Sequence, residues 1–391
     1  MNKFQNGHGC AAFVGFIFFF LLLNEVKCEI PDQNLRLQIL EDLQGMNRYD
    51  KCECVGVFVK NLDVVPPQEF SQELSRLQFL LNLQLELIEC RIGEHKTTPL
   101  HLATTYAFPN GIRMPLLKML IEKNNANVSA IDGFGNPPLH LMIYNNPKSP
   151  GLMETIQILI ENGANPNIPY GLRQRTFPHF VAAEGEFVNE SSFHKILSYL
   201  DSINKTESLT MRDRYGVLVL HIAIHFYELR NETLEIFKKS GTDFSARTFE
   251  NNMSVLEMGI YAGRSESVLR SLIAFGADWR IGNERNKNTA LHWAAYTRNL
   301  DAVKLCLSFG FDVNGKDAYG NTPLHSIFIS RGPFGEDAFL IVEYLLMRGA
   351  DLNVKNDMGL NPFQVLQMQN SNENEMTNSV KKMRLLLYPM T

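Results

Sequence analysis

A four-residue signature near Thr-Pro-Leu-His recurs along this chain, and its spacing limits the fold more than any other feature. Clear copies are Thr98-Pro99-Leu100-His101, Pro137-Pro138-Leu139-His140, Thr289-Ala290-Leu291-His292 and Thr322-Pro323-Leu324-His325. Weaker copies are Thr176-Phe177-Pro178-His179, Leu218-Val219-Leu220-His221, Ser254-Val255-Leu256-Glu257 and Asn361-Pro362-Phe363-Gln364. Their last positions are separated by 39, 39, 42, 36, 35, 33 and 39 residues. Repetition at that period specifies a solenoid, in which a unit buries its apolar face only by stacking on its neighbours.

The signature opens a short apolar helix. Thr or Ser at its start caps an orphan backbone donor, a contribution of about 1 kcal/mol. Pro at the first helical position gives up an N–H that would be unpaired there in any case. A second helix rich in Leu and Ile follows, over 116–121, 156–160, 268–273, 303–307 and 341–346. Gly163, Gly241, Gly276, Gly310 and Gly349 then end it, where the backbone turns left-handed. An Asp or Asn next opens a turn that closes on Gly135, Gly216, Gly320 or Gly359.

A unit built this way resembles the ankyrin repeat, and the resemblance covers residues 96–391, about three quarters of the chain. It implies an all-α solenoid of about seven to eight helix-turn-helix repeats with β-hairpin-like finger turns. The repeats proper occupy 96–358, and 359–391 reads as a degenerate C-terminal capping repeat. In that last piece Val380, Met383, Leu386 and Leu387 make a closing helix punctuated by Lys381, Lys382 and Arg384. The resemblance also gives His101, His140, His179, His221, His292 and His325 an architectural role, each ring bonding near its helix start and to the adjoining repeat.

Catalytic patterns are missing. His221 and His225 stand four apart on one helix, as zinc-protease ligands do, but Ile222-Ala223-Ile224 between them supplies no Glu base. Gly133-Phe134-Gly135 is the repeat's turn, not a phosphate cradle. No Gly-x-Ser-x-Gly elbow and no spaced Cys and His set for zinc is found. A net charge of -5 creates no basic field for nucleic acid. The expected activity is therefore binding of a protein partner, with no cofactor, metal or enzyme chemistry.

Residues 1–28 read as a secretory signal: Lys3 in a short polar start, then an apolar run from Cys10 to Leu23. That run spans about 21 Å as a helix, short of the roughly 30 Å hydrocarbon core. Val26 and Cys28 fit the small-residue rule for cleavage. An uncleaved anchor is the rival, and Lys27 and Arg36 after the run favour a cytosolic array in that case. Cysteines leave the compartment open. Cys90 pairs with Cys52 or Cys54 in an oxidising setting, or all three stay reduced, and Cys306 is a small buried hydrophobe in either case. The sequons at Asn127, Asn189, Asn204, Asn231 and Asn252 permit N-glycosylation at a frequency close to chance.

Residues 29–95 read as a helical cap. Leu35, Ile39 and Leu43 recur at helical spacing, Pro66-Pro67 breaks the chain, and Phe70, Leu74, Leu77, Leu81 and Ile88 form one stripe, widened by Leu80, Leu83 and Leu87. Such a face must dock, and the open end of the first repeat is the nearest apolar surface.

Two columns are candidates for contact with a partner. Four residues past the signature His, the first helices carry Thr105, Tyr144, Ala183, His225, Tyr261, Tyr296 and Ile329 toward the concave side, and the next position adds Tyr106 and Phe226. Finger tips carry Phe134, Tyr215 and Tyr319, with Phe249 nearby. Exposed aromatics are efficient contact residues, and local packing is the competing use of both columns. Longer copies place extra residues between their helices, at 107–111, 145–151, 185–191 and 331–335, where Pro, Gly and Asn suit surface loops. Repeats three to five depart most from the signature and are expected to be irregular. The reading is a secreted or lumenal non-catalytic binding module. Its alternatives are a membrane-tethered or cytosolic adaptor and a secreted toxin or host-directed effector.

Overall fold

The computed structural model describes residues 48–62, 70–83, 85–105, 113–145, 151–184, 188–280, 282–283, 285–330 and 336–369. The signal segment, the Leu35–Leu43 stripe, the closing helix at 380–387 and most of the extra loop residues lie outside them. The chain divides into two compact units between Val188 and Asn189.

The first unit begins with α1 (Arg48–Asn61) and α2 (Phe70–Leu83), followed by a 3-10 turn at Leu85–Glu89. Sequence reading did not anticipate α1, although Cys52, Val55, Val59 and Leu62 are buried along one side of it. The stripe drawn from Phe70 to Ile88 is two elements and not one helix, because α2 stops at Leu83 and Ile88 sits in the tighter turn. Cys52 on α1 and Cys90 just past that turn form a disulfide, with Cα atoms 5.2 Å apart. The choice between Cys52 and Cys54 is thereby resolved in favour of Cys52.

Repeats follow at once. First helices α3 (Pro99–Thr105), α5 (Pro138–Asn145) and α7 (Phe177–Ala183) stack side by side, and α1 packs on α3 as a cap. Second helices α4 (Arg113–Lys118, continued by a π turn at Met119–Lys123) and α6 (Leu152–Glu161) form the layer behind. Leu100, Leu116, Leu117, Leu120, Ile156, Leu159 and Phe177 fill the seam between layers. Each such side chain contributes roughly 1.5–3 kcal/mol by leaving water.

The second unit opens on α8 (Glu190–Ser202), capped by Asn189, whose side chain accepts from the Ser192 amide at 2.8 Å. Its first helices are α9 (Val219–Phe226), α11 (Val255–Tyr261), α13 (Ala290–Tyr296), α15 (Pro323–Ile329) and α17 (Pro362–Gln369). Behind them run α10 (Asn231–Lys239), α12 (Glu266–Phe275), α14 (Leu300–Ser308) and α16 (Glu336–Met347). Each layer packs on itself in chain order. Gly259 lets α11 approach closely, since a Cβ there would lie 3.2 Å from Ile224 and 3.1 Å from Leu269. The irregularity expected of repeats three to five is not found at the starts of α7, α9 and α11, each of which begins at the second position of the signature.

Fingers join the helix pairs. Among the described residues only isolated antiparallel bridges mark them, at Ile92–Thr97, Tyr170–Arg175, Arg212–Leu218 and Arg247–Ser254. One side-chain oxygen shapes each of four tips. Asp213 Oδ1 accepts from the Tyr215 and Val217 amides, Asp317 Oδ1 from Tyr319 and Asn321, and Asn356 Oδ1 from Met358 and Leu360. Asp132 does the same in the first unit for Phe134 and Asn136. The closing glycines take positive φ, as expected, with Gly135 at 81°, Gly216 at 74°, Gly320 at 72° and Gly359 at 75°.

Candidate functional site

The signature histidines act as clamps. In repeat one, the Thr98 amide donates to His101 Nδ1 at 3.2 Å while the Thr98 hydroxyl lies 2.7 Å from the same nitrogen. An Nδ1 that accepts an amide carries no proton, so Nε2 holds it and donates to the Asn136 carbonyl 3.0 Å away, on the next finger. His221 reaches Ala246, His292 reaches Asn321 and His325 reaches Leu360, each at 3.1 Å. Burial holds all four rings below their ordinary pKa, His221 at about 4. The neutral ring is thus a structural part tying each helix start to the following finger.

Glu257 takes the histidine's place in α11. Its carboxylate accepts from the Ser254 amide at 2.9 Å, Ser254 Oγ accepts from the Glu257 amide at 3.2 Å, and Arg247 Nη1 pairs with Glu257 at 2.9 Å. The departure from the signature is a complete reciprocal cap with its own counter-charge.

Between the capped helix starts and the loops, the first helices of the second unit present a chain of rings. His225 meets Phe226 edge-on at 4.9 Å and lies parallel to Tyr261 at 6.4 Å. Tyr261 then meets Trp293 at 5.8 Å, and Trp293 meets Tyr296 at 5.9 Å. Tyr261 is 47% exposed, Phe226 is exposed, and Trp293 and Tyr296 are half-buried. Burial and then the Arg264 charge depress the His225 pKa, which keeps that ring uncharged within the row. Sequence reasoning found His225, Phe226, Tyr261 and Tyr296 but missed Trp293, the ring that joins two of them. The column one past the signature His would have shown it, reading Ile222, Met258, Trp293 and Ser326 in this unit. Tyr106 and the side chain of Tyr144 lie outside the described residues.

Finger tips form the second surface. Phe134 is 64%, Phe249 58% and Tyr319 65% exposed, and Tyr215 is exposed as well. Backbone bonds link successive tips, with the Phe249 amide on the Tyr215 carbonyl at 2.9 Å and the Asp357 amide on the Tyr319 carbonyl at 3.0 Å. Packing explains part of this column, because Arg212 covers the Phe249 ring at 5.7 Å and His95 meets Phe134 at 4.9 Å.

A model of three consecutive ankyrin repeats matches residues 256–356, and a single-repeat ankyrin model matches 134–170. Residues 134–170 and 256–356 are ankyrin repeats. The ankyrin region is also similar to parts of much longer proteins. E3 ubiquitin-protein ligase KEG of Arabidopsis thaliana is 23% identical over 64% of this chain and 17% of its own length. A Fowlpox virus ankyrin repeat protein, FPV232, is 25% identical over 44% of this chain and 32% of its own. A Caenorhabditis elegans homolog of transient receptor potential cation channel subfamily A member 1 is 25% identical over 50% and 14% respectively. This chain therefore spans a third or less of the length of these relatives.

Other expected sites in the ankyrin array fall where they can be compared. Asn127, Asn189, Asn204 and Asn231 are exposed, whereas Asn252 is half-buried with its amide 3.5 Å from Asn283. His221 and His225 do not share a site, since His221 is committed to its clamp. Among the described residues no group of three or more His, Cys, Asp or Glu side chains is arranged to hold a metal ion. Cys306 is buried and its thiol is pushed up to about 12 by desolvation, which makes it unreactive. No described helix is long and apolar enough to cross a membrane.

Proposed function

We propose that this ankyrin array is a non-catalytic binding module, secreted or lumenal, that holds a protein partner against the aromatic row of its second unit. The row carries the reading: five rings, Phe226, His225, Tyr261, Trp293 and Tyr296, run without a gap across three successive first helices and keep faces open to solvent. Large rigid rings in one strip supply contact area at little cost in ordering. Finger-tip aromatics Tyr215, Phe249 and Tyr319 extend the contact. The Cys52–Cys90 disulfide supports an oxidising compartment, as does the apolar leader at 10–23.

Two measurements test this reading. Protein expressed with its leader in a secretory cell line is expected in the medium, with at least one sequon removable by a glycosidase. Retention inside the cell without glycan would replace the secreted form by the tethered or cytosolic adaptor. Partners crosslinked to the wild-type protein in that medium are expected to be lost from a Tyr261→Ala, Trp293→Ala, Tyr296→Ala triple variant with an unchanged helical spectrum. A variant that keeps every partner removes the aromatic row from the interface.

A further inference from the structure

One signature histidine lacks the clamp that the others share. Pro137 stands before His140 where threonine stands before His101, His179, His292 and His325. Proline offers neither the hydroxyl nor the N–H that Nδ1 takes elsewhere. His140 is 1% exposed, and neither ring nitrogen has a hydrogen-bond partner. Its surroundings are aromatic edges: Tyr170 at 5.0 Å, Phe177 at 5.8 Å and Phe180 at 5.0 Å, all T-shaped to the imidazole.

Tyr170 belongs to the following finger, and Phe177 and Phe180 belong to α7. His140 is thus a contact between one repeat and the next, made by an uncharged ring among hydrocarbon. We propose that His140 is an acid-sensitive latch, whose protonation releases α5 from α7 and the 170–175 finger before the neighbouring clamped repeat opens. A protonated imidazole there would be a buried charge without acceptor or counter-ion, which the pocket cannot hold.

The groups on every packed element favour the same outcome. His179 on α7 opposes a second positive charge, and Tyr170 on the finger presents its ring edge. His101 on α3 is engaged with Thr98 and Asn136. Asp132, ahead of α5 in the same repeat, already holds the Phe134 and Asn136 amides. Burial first, then His179, pushes the ring from 6.5 down to about 3. A folded value below the unfolded one means the latch is fully closed above pH 6.5 and weakens as pH falls toward 3. Well below pH 6.5 each pH unit in that window favours the open form about tenfold, and pH 5 favours it about thirtyfold over neutral pH.

Hydrogen exchange of the full-length protein at pH 7, 6 and 5, corrected for intrinsic exchange rates, tests the latch. Amides in 138–183 are expected to lose about thirtyfold in protection by pH 5, ahead of those in 99–105. His140→Leu and His140→Met, which cannot titrate, are expected to abolish that loss in 138–183. Retention of the wild-type pH slope in either folded variant overturns the proposal. If both variants fail to fold, the wild-type protein decides alone: simultaneous opening of 99–105 and 138–183, or no opening, also overturns it.

Discussion

Glu257 and Arg247 form a buried ion pair at 2.9 Å inside a capping site that its sister repeats fill with histidine. The carboxylate is 2% exposed, so water contributes little to it and Arg247 supplies the counter-charge. Glu257→Ala removes the counter-charge of Arg247, which keeps only neutral partners such as the Asn252 carbonyl, and leaves the Ser254 amide unpaired; removal of one partner of such an ion pair costs about 3–5 kcal/mol. Urea unfolding at pH 7 is expected to show a loss of that order. A Glu257→Ala, Arg247→Met double variant is expected to recover much of it, because the orphaned charge is then gone.

The disulfide makes a separate prediction for the first unit. Cys52 and Cys90 close a loop of 38 residues, and a crosslink of that span restricts the unfolded chain by about 3–4 kcal/mol. A Cys52→Ala, Cys90→Ala variant is therefore expected to melt the first unit earlier, with hydrogen exchange rising in 48–62 and 85–105. Reducing agent on the wild-type protein should give the same shift. Cys306, buried and with a thiol pushed up to about 12, should not react with an alkylating agent until the second unit unfolds.

The histidines of the second unit set its behaviour in acid. His221 is held at about 4 by burial, and burial also lowers His292 and His325. Their folded values lie below the ordinary 6.5, so the stability they lend is present above pH 6.5 and drains away as pH falls. For His221 alone the loss between pH 6.5 and 4 amounts to about 3 kcal/mol. Glu257 works with the opposite sign, since burial raises its carboxyl, and its contribution grows on acidification. Three rings outweigh one carboxyl, so the urea midpoint should fall steadily from pH 7 to pH 5. Both tryptophans of the chain, Trp279 and Trp293, lie in the second unit and report it by fluorescence.

Much of this was legible in the sequence because repetition compares positions with one another. The signature placed the helix starts, and the Gly spacing placed the helix ends and finger tips. Chemistry hidden in substitutions was harder to see. Glu257 read as a lost histidine because its partner Arg247 lies ten residues earlier, outside the signature. Pro137 stood in a clear copy of the signature, and the sequence does not show that its missing donors orphan His140. Trp293 escapes the column four residues past the histidine because it lies one residue past it, and rings from adjacent columns meet only in space. Helix α1 was missed because its buried side carries Cys52 and Val residues among Lys and Glu, too few apolar side chains for a clear stripe.

Gly320 and Gly359 close equivalent finger turns at φ 72° and 75°, yet they stand in different surroundings. A Cβ on Gly320 would lie 2.6 Å from Asp357 Oδ1 and 2.9 Å from the Asp357 nitrogen, whereas nothing stands within 4 Å of one on Gly359. The Asp357 amide is bonded to the Tyr319 carbonyl at 3.0 Å, so the crowding falls on the link between two finger tips. Gly359→Ala meets only the left-handed backbone and should cost about 1–2 kcal/mol. Gly320→Ala meets that same penalty and must also push two tips apart, so its cost should exceed that of Gly359→Ala by at least about 1 kcal/mol. Urea midpoints of the two variants, followed by tryptophan fluorescence, separate the backbone term from the tip-to-tip contact. Equal losses would mean that the fingers slide past one another freely and that the linked row of tips is not a rigid platform.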